Sequence, residues 1–570
     1  MLLNATVAGA VFAAYLTVLV LQLNPAVPLH PATVGALAVP LLLVHGTFFA
    51  TVFYLTLLVR HVVAERMLSP GWVSFQVLVW LCLITSGLAA TLMWLNVRGL
   101  RVTLDDESAR HMAFGAVVLT VCVALLLVLG VFRFSFGRGG HAGPAAFGVV
   151  LFASLAVPLW LRGSARETPA GTGRVENGPS FAASPHGRVT VLTVDGASLD
   201  FISPAVADGR LPNLARILDG GAVMHLATLR PTQPATVLTS IATGKLPMRT
   251  GVRSAASYLV RPAGPTLELL PDYCFAHGLV AAGLLDEGPH TSASLRARPL
   301  WAILSASGIG AAVVRWPLTY PAQWLRGEMV TDRLQVASDP ASAVTYPPGL
   351  RRRLRGEPEA PDAAAVAASV AAPGASAYAG APALALDRLY SRALEDVRDD
   401  SDARLLMLRY VGIDTVGHEY LRQAIPRAFG DVLEEERRRY GTVLEQYYGY
   451  IDGEIGRAID RLGPDDLLLV ISPFGMEPLS VPKRLLERTL GNPESGTHER
   501  APDGFLLAFG PAVRPGRLRR ASVLDVAPTV LYYFGLPIGR DMDGYPRTDL
   551  FTRAFTSARP LAFIPTYEGR

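Results

Sequence analysis

The sequence predicts two structural classes in one chain. An all-α bundle of about five transmembrane helices comes first. An α/β fold follows, built on a mostly parallel sheet with helices on both faces. Three observations carry this expectation. The first charged residue is Arg60, and apolar runs continue to about residue 162. From Arg188, short apolar stretches alternate with helical patterns. Half of the 570 residues are hydrophobic and only 18% are charged. That balance excludes a disordered chain and is too apolar for an ordinary soluble protein. At about 150 residues per domain, the length alone suggests three or four domains.

The spans read as about Val7–Leu23, Val34–Val59, Trp72–Leu95, Ala113–Phe132 and Ala145–Leu161. Each is close to the ~17–25 residues a helix needs to cross the hydrocarbon core. An opening without charge up to Arg60 is too long for a cleaved signal, which has a basic start and a short apolar run. Trp72, Trp94 and Trp160 fall at expected span ends, where amphipathic rings prefer the interface. Pro40 and His45 lie inside the second span. They read as a tolerated proline and a histidine packed between helices, with a kink or polar site as the alternative.

Charge is uneven along the chain. Residues 1–162 hold eight arginines and four acidic residues, which accounts for the whole net charge of +4. The remainder is neutral, so no nucleic-acid partner is expected: such binding needs a basic face that displaces counterions. Lys245 and Lys483 are the only lysines. The three cysteines, Cys82, Cys122 and Cys274, are too few for a disulfide framework or a cysteine-based zinc site. Five spans place the two ends on opposite sides of a membrane. Arg60, Arg66, Arg133 and Arg138 fall on one side, and Arg98, Arg101, Arg110, Arg162 and Arg166 on the other. The positive-inside rule is therefore nearly balanced.

Residues 163–187 are rich in Gly, Pro, Ser and Thr and read as a linker. A domain is expected over 188–553, with a tail at 554–570. Val189–Val194, Leu405–Tyr410, Leu467–Ile471 and Phe505–Phe509 read as buried strands. The alanine-rich stretch from about Glu359 to Leu386 reads as a low-complexity surface insertion. Ligands of such sheets bind at the carboxyl ends of strands, and the polar residues of interest lie there. Asp195 follows the first strand. Asp414 and His418, four apart, share one helical face or one wall of a loop and suit zinc. His498 is the histidine far downstream. Thr232, Thr236, Thr239 and Ser240 lie in a run that begins a helix, where hydroxyls cap and where one is a candidate nucleophile.

The order of these motifs resembles the alkaline phosphatase superfamily, in its type I phosphodiesterase/nucleotide pyrophosphatase branch. The resemblance runs from about Arg188 to Tyr545. It rests on Val194-Asp-Gly-Ala-Ser198, Gly209-Arg-Leu-Pro-Asn-Leu214, Thr239-Ser-Ile-Ala-Thr-Gly-Lys-Leu-Pro247 and Trp316-Pro-Leu-Thr-Tyr-Pro321. Gly412-Ile-Asp-Thr-Val-Gly-His418, Gly496-Thr-His498, Leu524-Asp-Val-Ala-Pro-Thr-Val-Leu531 and Asp541-Met-Asp-Gly544 continue it. The resemblance implies an alkaline-phosphatase-like fold and a site for two zinc-like ions.

Carried over by position, one ion takes Asp414, His418 and His498, all present. The other would take Asp195, a nucleophilic Thr or Ser, and an Asp-His pair. That pair falls on Pro473 and Phe474, and the nucleophile falls on Pro234. Thr232 or Thr236 is then the candidate hydroxyl, and Thr250 stands where the family has a histidine. One ion's shell is complete and the other is stripped.

The expected function is a membrane-anchored metal-dependent phosphohydrolase, phosphodiesterase or phosphotransferase. Its partner would be a phosphate-containing small molecule or a lipid headgroup. The alternative is a catalytically inactive domain that binds a phosphorylated ligand or partner at the membrane. The layout of spans followed by such a domain also resembles phosphoethanolamine transferases and lipoteichoic acid synthases. It implies a soluble domain outside the cytoplasm.

Overall fold

A computed structural model describes residues 1–64, 74–132, 141–163, 187–271, 277–335, 343–354, 380–481, 483–484, 494–500 and 502–568. Most of the expected linker and the residues 359–379 of the alanine-rich stretch lie outside the described residues, as does Trp72. The chain divides into two compact units. One comprises Met1–Thr168 and Arg253–Pro289, the other Pro169–Val252 and His290–Arg570.

In the first unit the apolar runs fold as α1 (Leu2–Leu23), α2 (Pro31–Leu41), α3 (Thr47–Ala64), α4 (Phe75–Gly99), α5 (Asp106–Phe132) and α6 (Ala142–Trp160). A π-helical turn, Leu42–Gly46, joins α2 to α3, so Pro31–Val63 form a single apolar span. Pro40 lies just before that turn. Proline withholds an amide donor, and a wide turn accommodates the interrupted ladder. Among the described residues, five helices are thus long and apolar enough to cross a membrane. Helix α5 starts at Asp106, earlier than its apolar run, because Asp106 and Glu107 suit the positive end of a helix. Buried polar groups tie α1 to α6: Tyr15 Oη lies 2.6 Å from Ser154 Oγ, and Gln22 donates to the Pro158 carbonyl.

Residues 253–289 supply this unit with a three-stranded antiparallel sheet of Ala256–Val260, Thr266–Leu267 and Leu285–Pro289. Tyr258, Val260, Leu267 and Leu285 share a core with Phe12, Leu16 and Val20 of α1. Asn24, at the end of α1, fixes the register. Its Oδ1 accepts from the amides of Glu268 and Leu269, and its Nδ2 donates to the Leu269 carbonyl. The sequence offered no sign that this segment, far along the chain, belongs with the helices.

The second unit carries a ten-stranded sheet. Its strands are β1 (Val189–Val194), β2 (Ala222–Ala227), β3 (Ala311–Val314), β4 (Gly327–Val330), β5 (Thr345–Tyr346), β6 (Leu405–Tyr410), β7 (Leu467–Ser472), β8 (Gly504–Phe509), β9 (Gly516–Arg517) and β10 (Ala521–Ser522). The order is β9-β2-β8-β7-β1-β6-β3-β4-β5, with β10 on β2. The run β7-β1-β6-β3-β4 is parallel. Strand β8 runs antiparallel to both β7 and β2. The four strands read from sequence all form, and the sheet is mostly parallel as expected.

Both faces of the sheet are covered, which is why its strands are largely apolar. Val189 and Val191 of β1 pack with Val237, Leu238 and Ile241 of α7 (Pro234–Thr243). Leu192 and Val194 pack on the opposite face with Tyr447, Tyr448 and Ile451 of a helix spanning Val443–Asp460. The alternation is the period-two geometry of a strand. Residues 381–386, expected in the surface insertion, instead open helix α8 (Ala381–Asp400), with Ala381, Leu384 and Ala385 buried.

A carboxylate on α8 organises the carboxyl edge of the sheet. Asp387 is fully buried. It accepts from Tyr447 Oη at 2.8 Å and from the amides of Gly412 and Val411 at 3.1 and 3.3 Å. It also accepts from the guanidinium of Arg315. Arg315 follows β3 with φ +56°, a left-handed conformation uncommon outside glycine. Four donors from three separate segments therefore hold one charge. Removing one partner of a buried ion pair strands the other and typically costs ~3–5 kcal/mol. Asp387→Ala is expected to destabilise this unit by about that amount, and Asp387→Asn by less. Thermal unfolding of the purified chain in detergent measures both.

Candidate functional site

The site is assembled where β1, β6 and β7 end side by side. β6 leads directly into α9 (Gly412–Ala424). Asp414 lies in the first turn of α9 and His418 one turn later, so both project from one face. A short antiparallel pair, Glu477–Pro478 with Gly496–Thr497, lies against this helix. The approach is close: a β-carbon on Gly496 would stand 2.6 Å from the Gly417 carbonyl oxygen, and one on Gly417 would stand 2.4 Å from Met476 Sδ. Two glycines are what permit the contact. Ser495 fixes the register by donating its amide to the His418 carbonyl at 2.6 Å. His498 is thereby delivered to Asp414 and His418.

One ligand atom from each of Asp414, His418 and His498 lies within 4.8 Å of the others. His418 Nε2 is 3.7 Å from Asp414 Oδ1, and His498 Nε2 is 4.0 Å from Asp414 Oδ2. In a tetrahedral shell with bonds of about 2.0 Å, neighbouring ligands stand roughly 3.3 Å apart, so small side-chain shifts close the group on an ion. Both imidazoles are oriented for it. His418 Nδ1 donates to the Gly496 carbonyl at 2.9 Å, and His498 Nδ1 donates to the Thr232 carbonyl at 3.2 Å. A carbonyl only accepts, so each Nδ1 carries a hydrogen, and in the neutral ring Nε2 is then the nitrogen with the lone pair for a metal. Asp414 Oδ1 is buried without a hydrogen-bond partner, an arrangement that calls for a cation. The residues present fit one divalent metal.

The neighbouring position is different. Asp195, at the end of β1, is fully buried. Gly196 runs beside Asp414, whose Cα would stand 2.9 Å from a β-carbon there. Asp195 lies outside the metal-competent group among the described residues. Its Oδ2 accepts from Arg409, with Nε at 2.8 Å and Nη2 at 2.6 Å. Burial pushes its carboxyl above the ordinary range, Arg409 draws it back down, and the Asp414 charge raises it again. Pro473 and Phe474 follow β7. Phe474 is fully buried, with its ring centroid 4.8 Å from that of His498. Ser472 closes this loop onto β1 by donating to the Ala197 carbonyl at 2.7 Å. An apolar wall thus stands where the resemblance implies an Asp-His pair.

The hydroxyls at the start of α7 are turned to their own backbone. Thr232 donates to the Leu229 carbonyl at 2.9 Å and Thr236 to the Gln233 carbonyl at 2.8 Å. Pro234 is the first residue of α7. Thr250 donates to the Pro247 carbonyl. The motifs around Lys245 and Asp541 brace one another: Lys245 Nζ pairs with Asp541 at 2.6 Å and Asp543 accepts the Leu246 amide at 2.8 Å.

The family model for type I phosphodiesterase/nucleotide pyrophosphatase matches residues 189–518. The chain belongs to this family. Among solved structures, two of murine ectonucleotide pyrophosphatase/phosphodiesterase 5 are similar, one of them of an inactive variant in complex with AMP. Each match has 12% identity and covers 64% of this chain and 100% of the other, with TM-scores of 0.37 and 0.36. A search of curated proteins finds no match. As a type I phosphodiesterase/nucleotide pyrophosphatase member, the chain unites Asp414, His418 and His498 and places Asp195 next to them. It does not turn Thr232 or Thr236 outward from the backbone.

Arg409 was missed in the sequence. Its signal was an arginine inside the otherwise apolar strand Leu405–Tyr410, where a buried charge demands a partner. Mass-spectrometric metal analysis of the full chain in detergent tests the centre. His418→Ala and His498→Ala should each weaken divalent-metal binding by more than the roughly 10–100-fold cost of losing a group that merely orients a ligand.

Proposed function

We propose that this protein is a membrane-anchored phosphohydrolase acting on phosphate esters, with one divalent cation, zinc, held by Asp414, His418 and His498. The convergence of those three side chains, with both Nε2 atoms directed by carbonyl contacts at Nδ1, carries the reading. One carboxylate with two imidazoles suits zinc and leaves a position open. Zinc bound there supplies positive charge to a phosphate oxygen and acidifies water.

The protein's own residues do the rest. The carbonyls of Gly496 and Thr232 hold the two imidazoles in one tautomer. Asp195 Oδ1 is buried and unpartnered and orients the attacking water. The water oxygen bonds to phosphorus as the ester P–O bond breaks, and the proton that the water loses ends on the departing oxygen. Thr232 and Thr236 contact the phosphate when their hydroxyls rotate away from the backbone. Pro234 gives no hydroxyl for a phosphoryl-enzyme, so turnover is slow.

A second reading is a catalytically silent receptor for a phosphorylated ligand. The commitment of both threonine hydroxyls to backbone carbonyls favours it. Hydrolysis of bis(4-nitrophenyl) phosphate by the full chain distinguishes the two. The first expects zinc-dependent turnover that disappears in His418→Ala. Zinc binding without any turnover supports the receptor.

The five apolar helices support membrane anchoring, and the likeness in layout to membrane-anchored transferases supports an extracytoplasmic soluble domain. A reporter fused after Arg570 should be active outside the cytoplasm. Activity confined to the cytoplasm would overturn that orientation.

A further inference from the structure

We propose that the guanidinium of Arg409 is a built-in second cation of the site, neutralising Asp195 and binding a phosphate oxygen beside the ion held by Asp414, His418 and His498. The inference rests on the reading that these three residues hold one ion. It adds a residue that the sequence motifs do not include.

Asp195 is fully buried and adjacent to a second carboxylate, Asp414. Two carboxylates this close need positive charge. Arg409 supplies it to Asp195 through two N–H groups directed at the same oxygen. A guanidinium has five N–H donors. Nε and Nη2 each engage Asp195, and Nη1 has no partner among the described residues. The Arg409 side chain retains 13% exposure while that of Asp195 has none. The unpaired edge of the guanidinium is therefore the part left for an anion, in the fork geometry that suits phosphate.

Geometry along the strands agrees. Thr193 of β1 lies opposite Arg409 of β6 in the parallel register. Val191 and Met407, two residues earlier on each strand, pack on the sheet face that carries α7. Period-two alternation puts Asp195 and Arg409 on that same face. Asp332 is half-buried near Arg409; burial raises its carboxyl, and Arg409 and Arg333 draw it back down. Pro473 and Phe474 offer no ligand atom on the remaining side. Within the group formed by Asp195, Asp414, one divalent ion and the Arg409 guanidinium, positive charge exceeds negative by one, which suits an anion. Two-metal phosphoryl-transfer sites assign this charge to a second ion; here a side chain provides it.

The test uses the full chain in detergent, zinc content by mass spectrometry and orthovanadate as the phosphate mimic. Wild type should hold one zinc per chain even in excess metal. Asp195→Asn should still hold one, because that carboxylate is engaged by Arg409. Arg409→Lys keeps the charge but loses the fork. It should keep one zinc and bind orthovanadate roughly 10- to 100-fold more weakly. Loss of zinc in Asp195→Asn, or undiminished orthovanadate affinity in Arg409→Lys, would each overturn this inference while leaving the one-ion reading intact, whereas two zinc ions in wild type would overturn this inference and the one-ion count together. Absence of zinc from wild type would overturn both.

Discussion

The carboxyl edge of the sheet depends on how buried negative charge is compensated. Asp387 is the clearest case. Without solvent, its charge is stable only because Arg315, Tyr447 and two backbone amides converge on it. Those amides belong to Val411 and Gly412, which begin the helix carrying Asp414 and His418. The direction of that helix, and so the separation of its two polar side chains from the end of β1, is set from beneath by a residue that never reaches the site. Asp195 obeys the same rule one strand away, with Arg409 as its counter-charge.

How much of this was legible depended on range. Val189–Val194 and Leu405–Tyr410 were readable as strands because a doubly covered parallel sheet demands uninterrupted apolar residues. Asp414 and His418 were readable as a pair because four residues is one helical turn. His498 and Asp195 were placed only through the order of motifs. The compensating cations were not readable. Arg409 and its partner are 214 residues apart, and Arg315 lies 72 residues from Asp387. Neither spacing has a local period. The hydroxyls of Thr232 and Thr236 are the converse: sequence offered them as chemical groups, while local geometry let their own backbone capture them first.

Three residues that could hold a metal come together on α9 and the adjacent hairpin. The apolar ring of Phe474 packs on His498 from the opposite side. Such a wall keeps one imidazole rigid and excludes water from its flank, but it offers nothing to a second ion.

The segment 253–289 changes what it means to detach the α/β unit. A protease acting once between α6 and β1 severs the backbone there. It does not release a soluble fragment, because the downstream piece still has Tyr258, Val260, Leu267 and Leu285 seated against α1 and Asn24. At about 1.5–3 kcal/mol for each large apolar side chain removed from water, that attachment is comparable to the stability of a small domain. Separation of the two pieces by a single cut is therefore opposed by packing. Any recombinant fragment that starts after the last helix carries an exposed apolar sheet in place of its missing partner.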